Sequence, residues 1–274
     1  MFTKNKKGFS LIELLVVISV ISLLMAILIP ALVAARSQAR GMVCKSNLRQ
    51  LFIANAGYAT ENKDNYVWAA PDITSYKGGN HRWHGIRNSP DEPFDPLKGP
   101  LAAYLNNGMV KECPGFAKPP KDLQWEFNFE QGCGGYGYND IYLGSRNWQD
   151  RTFTSIEEIK SAAWETTKTV EVRKPAKTLM FADAAMAMQQ NFLIEYSFAK
   201  PPFIVYKGEP VTNFYMSPSI HFRHRSFTNV VWTDGHVSPE HMADVNQNNV
   251  YSVDSAHMKL GWFEPVDNTF FDLK

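Results

Sequence analysis

The stretch Lys6-Lys7-Gly8-Phe9-Ser10-Leu11-Ile12-Glu13 runs without a break into Leu14 to Ala35, 22 residues that carry no charge. As a helix this apolar run is about 33 Å long at roughly 1.5 Å per residue, enough for the roughly 30 Å hydrocarbon core of a bilayer. Ahead of it, residues 1 to 8 form a short polar leader with Lys4, Lys6 and Lys7. A secretory signal has a shorter apolar region followed by a small-residue cleavage site. Here the small residue, Gly8, precedes the apolar run, so cleavage at Gly8 leaves the anchor attached. Glu13 stands at the edge of the span, where a carboxylate is retained for a partner. Pro30 lies inside the span and removes one backbone donor, which predicts a kink or local melting.

The helix is expected to continue beyond the membrane. Val33, Met42, Val43, Leu48, Leu51, Phe52 and Ala56 recur at mostly helical spacing, with Arg36, Arg40, Lys45, Arg49 and Gln50 between them. Gly57, Asn62 and Asp64 offer the exit. Lysine and arginine counting does not fix orientation, because Lys4, Lys6 and Lys7 on one flank compete with Arg36, Arg40, Lys45 and Arg49 on the other. The expected organisation is a leader over 1–8, a helix over 9–60 that spans at about 9–35 and is then amphipathic, and an α+β domain over 61–274.

In that domain Leu97 to Leu105 reads as a short helix. Ser155 with Glu158 forms a capping box for a helix ending near Trp164. Val170 to Val172, Thr178 to Asp183, Asn191 to Ser197 and Phe203 to Tyr206 read as strands of an antiparallel sheet. Tyr136-Gly137-Tyr138-Asn139 reads as aromatic packing over a tight turn. The run from His224 to His236 reads as a β-hairpin, with Phe227, Val231 and Thr233 on one strand face, Val230 and Trp232 on the other, and Asp234-Gly235 as turn chemistry.

Lysine and arginine number 28 against 27 acidic residues, a net charge of +1, so no whole-chain field points to nucleic acid. The three cysteines, Cys44, Cys113 and Cys133, are too few and too irregularly spaced for a zinc-finger pattern, which argues against a metal role. Cys113 and Cys133 both sit among turn formers, and a disulfide between them is the working expectation for an exported domain, with Cys44 as a competing partner. His221, His224, Asp234 and His236 contain metal-binding residue types, but no nucleophile motif, phosphate loop or zinc-hydrolase helix accompanies them. An enzyme is therefore not expected.

The segment Lys6 to Glu13 resembles the cleavage and methylation motif of type IV prepilins and type II secretion pseudoprepilins. The resemblance implies cutting between Gly8 and Phe9 by a prepilin peptidase and N-methylation of Phe9. It also implies pairing of Glu13 with the Phe9 amine of a neighbouring subunit, and a flexible helix segment at Pro30. Cys44-Lys45-Ser46-Asn47-Leu48-Arg49-Gln50-Leu51 is similar to a segment of one large pseudopilin-like group. His224, nine residues, then Asp234-Gly235 matches that group's C-terminal H-x9-D-G element. Residues 62 to 150 match little.

The fold this implies is pilin-like α+β, with a long N-terminal helix packed on an antiparallel sheet that carries irregular insertions. The implied function is a structural subunit of a type II secretion pseudopilus or type IV pilus-like filament. Its partners would be prepilin peptidase, sister subunits meeting through N-terminal helices, an inner-membrane assembly platform and membrane lipid, with no nucleic acid. Its place would be the bacterial inner membrane, single-pass with the C-terminal domain extracytoplasmic, and then the filament. No cofactor is expected. Calcium at Asp183 or Asp234 is suggested only by analogy with some pseudopilins, and the dense oxygen-ligand loop is absent. The alternatives are a membrane-tethered surface binding module, marked by a concave patch with Trp83, Trp125 or Trp148, and a metal-dependent domain on a pilin-like anchor.

Overall fold

The structure, a computed structural model, describes residues 10–117, 130–146, 155–189, 192–206, 209–245 and 247–274. It forms two units, residues 1–39 and 40–274. Helix α1, Leu11–Glu61, carries Pro30 within an unbroken helical stretch. The isolated chain thus shows no melting at Pro30, although the Ala26 carbonyl loses the amide partner that a non-proline residue would supply.

The part of α1 within the second unit is buried along one stripe: Cys44, Asn47, Leu48, Leu51, Ala54, Asn55 and Ala59. This corrects the expected stripe, since Met42 and Val43 are exposed. Two of its members are asparagines, which a hydrophobic pattern passes over. Each is buried because its amide replaces a missing backbone partner. Asn47 Nδ2 donates to the Glu112 carbonyl at 3.2 Å and to the Tyr136 hydroxyl at 3.1 Å, and Asn55 Oδ1 accepts from the Val67 amide at 2.9 Å.

The strands are β1 His81–Arg82, β2 Gly85–Ile86, β3 Tyr136–Tyr138, β4 Leu179–Asp183, β5 Met186–Met188, β6 Phe192–Ile194, β7 Phe203–Tyr206, β8 Glu209–Tyr215, β9 Ile220–His221, β10 Phe227–Trp232, β11 Val237–His241 and β12 Leu260–Gly261. The central sheet is four-stranded and antiparallel in the order β11-β10-β4-β3, with two-stranded ribbons around it. Side chains alternate along β10, whereas on β4 the pairing register shifts and Met180 and Phe181 fall in the same layer. Phe181 and Val231 join Leu48, Leu51, Trp83 and Tyr138 on the helix side, while Leu179, Ala182, Val230 and Trp232 join Trp262 and Phe263 on the other. Burying a large side chain of this kind contributes about 1.5–3 kcal/mol, so these two layers dominate the stability of the second unit.

Local chemistry departs from expectation in two places. Leu97 to Leu105 is not one helix. It contributes to two short 3-10 turns, Pro96–Lys98 and Ala102–Tyr104, with a third, Asn106–Gly108, after them; Gly99 closes the first turn, and Leu105, in extended backbone, parts the second from the third. Val170 to Val172 is not a strand, because Thr169–Glu171 is a 3-10 turn. The Glu171 carboxylate accepts from the Lys168 amide at 2.7 Å and from Arg146 at 2.9 Å, which folds the chain back on itself. The helix expected after Ser155 is α2, Ile156–Ala162, and the Ser155 hydroxyl accepts from the Glu158 amide at 3.2 Å.

Candidate functional site

The apolar helix of the first unit is not buried by any of the described residues. Leu11, Ile12 and every large apolar side chain from Leu14 to Val33 are exposed. This is the one candidate span among the described residues, by length and composition. Contiguous apolar surface on this scale is not left in water by a stable soluble protein, so the segment needs lipid or other helices around it. Its start is capped from within, as the Ser10 amide donates to Glu13 Oε2 at 2.9 Å. The spacing Ser10-x-x-Glu13 is that of a capping box, a signal the sequence reading missed. Gly8 and Phe9 lie outside the described residues.

In the second unit, four segments distant in sequence converge on one point. Cys44 comes from α1, Cys113 from a loop, Asp183 from the end of β4 and His224 from the turn before β10. One ligand atom from each lies within 4.8 Å of all the others. Cys44 Sγ donates to Asp183 Oδ1 at 2.9 Å, His224 Nε2 is 3.4 Å from Asp183 Oδ2, and Cys113 Sγ is 3.4 Å from the same imidazole nitrogen. The Asn229 amide donates to Asp183 Oδ2 at 2.8 Å, and the Arg223 guanidinium stands 4.0 Å from Oδ1.

The electrostatics follow from that crowding. Burial pushes the Asp183 carboxyl up, but the Arg223 charge and the His224 and Cys44 contacts hold it below its ordinary value. Burial lowers His224, and Asp183 with Cys113 overcomes this and raises it to about 9. The contact with Cys44, aided by His224 against burial, lowers the Cys113 thiol to about 5, while burial drives the Cys44 thiol up. Cysteine, histidine and aspartate together suggest a catalytic triad, but the geometry is wrong for one. A relay needs the carboxylate on one ring nitrogen and the nucleophile on the other. Here Asp183 and Cys113 both face Nε2.

Asp234 and Gly235, the other half of the H-x9-D-G element, lie elsewhere. Asp234 Oδ1 accepts from the His236 amide at 3.0 Å and is 2.7 Å from His236 Nδ1, so it caps its own turn. Gly235 has φ 86°, and its carbonyl accepts from Arg49 of α1. A Cβ there would run into Phe52. The element therefore supplies one partly buried imidazole to the cluster and one tight turn that rests on the helix. His221 is buried apart from the four-residue cluster, and burial pushes its imidazole well below the ordinary value.

The N-terminal segment is also what known proteins share with this chain. Residues 3–29 match the family model described as the prokaryotic N-terminal methylation motif. The N-terminal segment is thus similar to that of type IV pilins. The chain is 44% identical over 59 residues to the type IV wide pilus major component PilA4 of Thermus thermophilus, covering 22% of this chain and 45% of that protein. It is 35% identical over 72 residues to the type IV major pilin protein PilA of Myxococcus xanthus, covering 26% of this chain and 32% of that one. The chain thus spans less than half the length of these relatives. No solved structure matches it.

The cysteine and tryptophan expectations are revised by the packing. All three thiols are free, and Cys113 faces His224 and Cys44 instead of bonding to Cys133. Cys133 is buried beside Glu195, whose Oε2 accepts from the amides of Gly132 and Gly134. Calcium has no hard-oxygen site at Asp183, whose neighbours include two thiols and an imidazole. Trp83 is fully buried and donates to the Ser197 carbonyl at 2.7 Å, so it forms no concave surface patch. Trp125 and Trp148 lie outside the described residues.

Proposed function

We propose that this chain is a structural subunit of a type IV pilus-like filament or secretion pseudopilus, assembled through its N-terminal helix, and not an enzyme. The observation that carries the reading is the uncovered apolar half of α1, preceded by a methylation motif and carrying one carboxylate, Glu13, at its first turn. In a monomer that surface is satisfied only by lipid. In a filament it is satisfied by the same surface of sister subunits, so one helix serves both states. Glu13 would exchange its contact with the Ser10 amide for the amine of Phe9 on a neighbour, neutralising two charges that would otherwise stand unpaired in an apolar core.

The route follows from this reading: insertion in the inner membrane with the leader on the cytoplasmic side, cutting after Gly8 by a prepilin peptidase, methylation of Phe9, and extraction by an assembly platform. The C-terminal unit would face outward and form the filament surface. The test is intact mass and N-terminal analysis of membrane-bound protein from its native host, alongside filament yield for Glu13→Ala. Chains beginning at methylated Phe9, together with filament loss in the variant, are the expected results. A retained Met1 to Gly8, or normal filaments from Glu13→Ala, would end the proposal.

A further inference from the structure

The cluster of Cys44, Cys113, Asp183 and His224 has no part in the assembly reading, which uses only the N-terminal helix. We propose that these four side chains form a tetrahedral binding site for a divalent transition metal ion of the zinc class. The donor set, two sulfurs, one imidazole nitrogen and one carboxylate oxygen, is the kind such an ion selects over calcium or magnesium.

The geometry fits with small adjustments. With metal–sulfur bonds of about 2.3 Å and metal–nitrogen or metal–oxygen bonds of about 2.0 Å, tetrahedral ligand-to-ligand edges come to about 3.3–3.8 Å. The Cys113 to His224 and His224 to Asp183 distances are both 3.4 Å. The Cys44 contact, 2.9 Å, is to the other carboxylate oxygen, Oδ1. A small rotation of the Asp183 carboxylate must therefore bring one oxygen to face both Cys44 and His224, and that edge opens by about half an ångström once the thiol hydrogen bond is replaced by two metal bonds. No pair exceeds 4.8 Å, so a shift of about 1 Å at most closes the set.

Three further features separate this cluster from an accidental meeting of side chains. Asp183 and Cys113 converge on the same His224 nitrogen, as ligands around a central ion do. His224 is held in place by its backbone: its amide and carbonyl exchange hydrogen bonds with Phe227 at 3.0 and 3.1 Å across a two-residue turn. In that turn Arg225 and Ser226 both take positive φ, 57° and 69°, which non-glycine residues rarely adopt without compensation. Gly115 leaves room for the ring, since a Cβ there would lie 2.9 Å from His224 Cε1.

Charge also balances. Two thiolates, one carboxylate and a neutral imidazole carry −3, a divalent ion brings this to −1, and the Arg223 guanidinium beside Asp183 neutralises the remainder. Arg223 is itself fixed by donating to the Gly135 and Ala184 carbonyls at 2.9 and 2.6 Å. A charge held in this way beside a ligand keeps that ligand in orientation. Binding would release two protons to solvent, one from the Cys44 thiol and one from the Cys113–His224 pair. The ion would tie α1 to the sheet from inside the core and make the docking of the helix metal-dependent.

The test uses full-length protein in detergent, reduced, stripped with a chelator and titrated with cobalt(II). We expect one equivalent to bind with thiolate-to-cobalt charge-transfer absorption and the intense visible bands of a tetrahedral site, displaced by zinc. Cys113→Ser and His224→Ala should weaken binding by roughly 10-fold or more, whereas Cys133→Ser should leave it unchanged. Because ligand variants can misfold, the wild-type titration is decisive by itself. Folded, reduced wild-type protein that gives no thiolate charge transfer overturns the proposal. So does a Cys44–Cys113 disulfide in non-reduced peptides of protein isolated from its host.

Discussion

Helix α1 has two halves that differ in where their partners lie. From Leu11 to Val33 the large apolar residues point in every direction and meet none of the described residues that would bury them, whereas from Cys44 to Ala59 a stripe of apolar and amide-bearing residues is buried. A helix apolar all round must be completed by lipid or by other chains. A helix apolar on one face can be completed by its own sheet. The same element thus anchors by one half and folds by the other, and substitutions in the two halves should fail in different assays.

The sharpest break is between Leu51→Ala and Ile18→Lys. Leu51 fills the layer beneath Phe181 and Val231, and its truncation should lower unfolding free energy by about 2–5 kcal/mol in denaturant titration, with membrane insertion unchanged. Ile18→Lys puts a charge within the span at about 2.5–3.5 kcal/mol. It should reduce the inserted fraction in a carbonate-extraction assay and leave the melting temperature of the second unit where it was. Equal effects of either variant in both assays would show that the two halves are not independent.

Acid gives the next largest effect, confined to the second unit. Glu130 is buried, with Arg82 Nε at 2.9 Å from both its oxygens, Arg82 Nη2 at 2.7 Å and the Ser197 hydroxyl at 2.6 Å. Burial raises its carboxyl, but the Arg82 charge and the His84 contact more than offset this and bring it to about 2. A lowered folded value means that the stabilisation is complete above about pH 4.5 and is lost as pH falls toward 2, on the order of 3 kcal/mol. The denaturation midpoint should drop across that window in wild type, and the drop should be shallower in Glu130→Gln. A smaller effect is expected from Asn55→Ala, which leaves the buried Val67 amide without its 2.9 Å acceptor and should cost about 1–3 kcal/mol by thermal unfolding.

These contrasts also mark what a sequence can reveal. The span, the hairpin and the Leu179–Asp183 strand are local patterns, and local patterns are what periodicity reports. Asn47 and Asn55 escape such reading because they are polar, and only the tertiary contacts to Glu112, Tyr136 and Val67 make them core residues. The cysteines were set aside as metal ligands because their spacing suits no zinc finger. Spacing carries information only when ligands share a local loop, and here Cys44 and Asp183 are 139 residues apart. The H-x9-D-G element was legible as a unit, yet its two ends do separate jobs: His224 turns into the core and Gly235 presses on α1.

The contact between Arg49 and the Gly235 carbonyl, 186 residues apart, sets the order in which this protein can be made. At about 5–20 residues per second, the apolar half of α1 leaves the ribosome on the order of 10–40 s before the turn that receives Arg49 exists. The membrane is therefore offered its helix while the sheet is still unwritten. For that interval the stripe from Cys44 to Ala59 is an unsheltered surface, because every strand of the central sheet that will cover it is still to come.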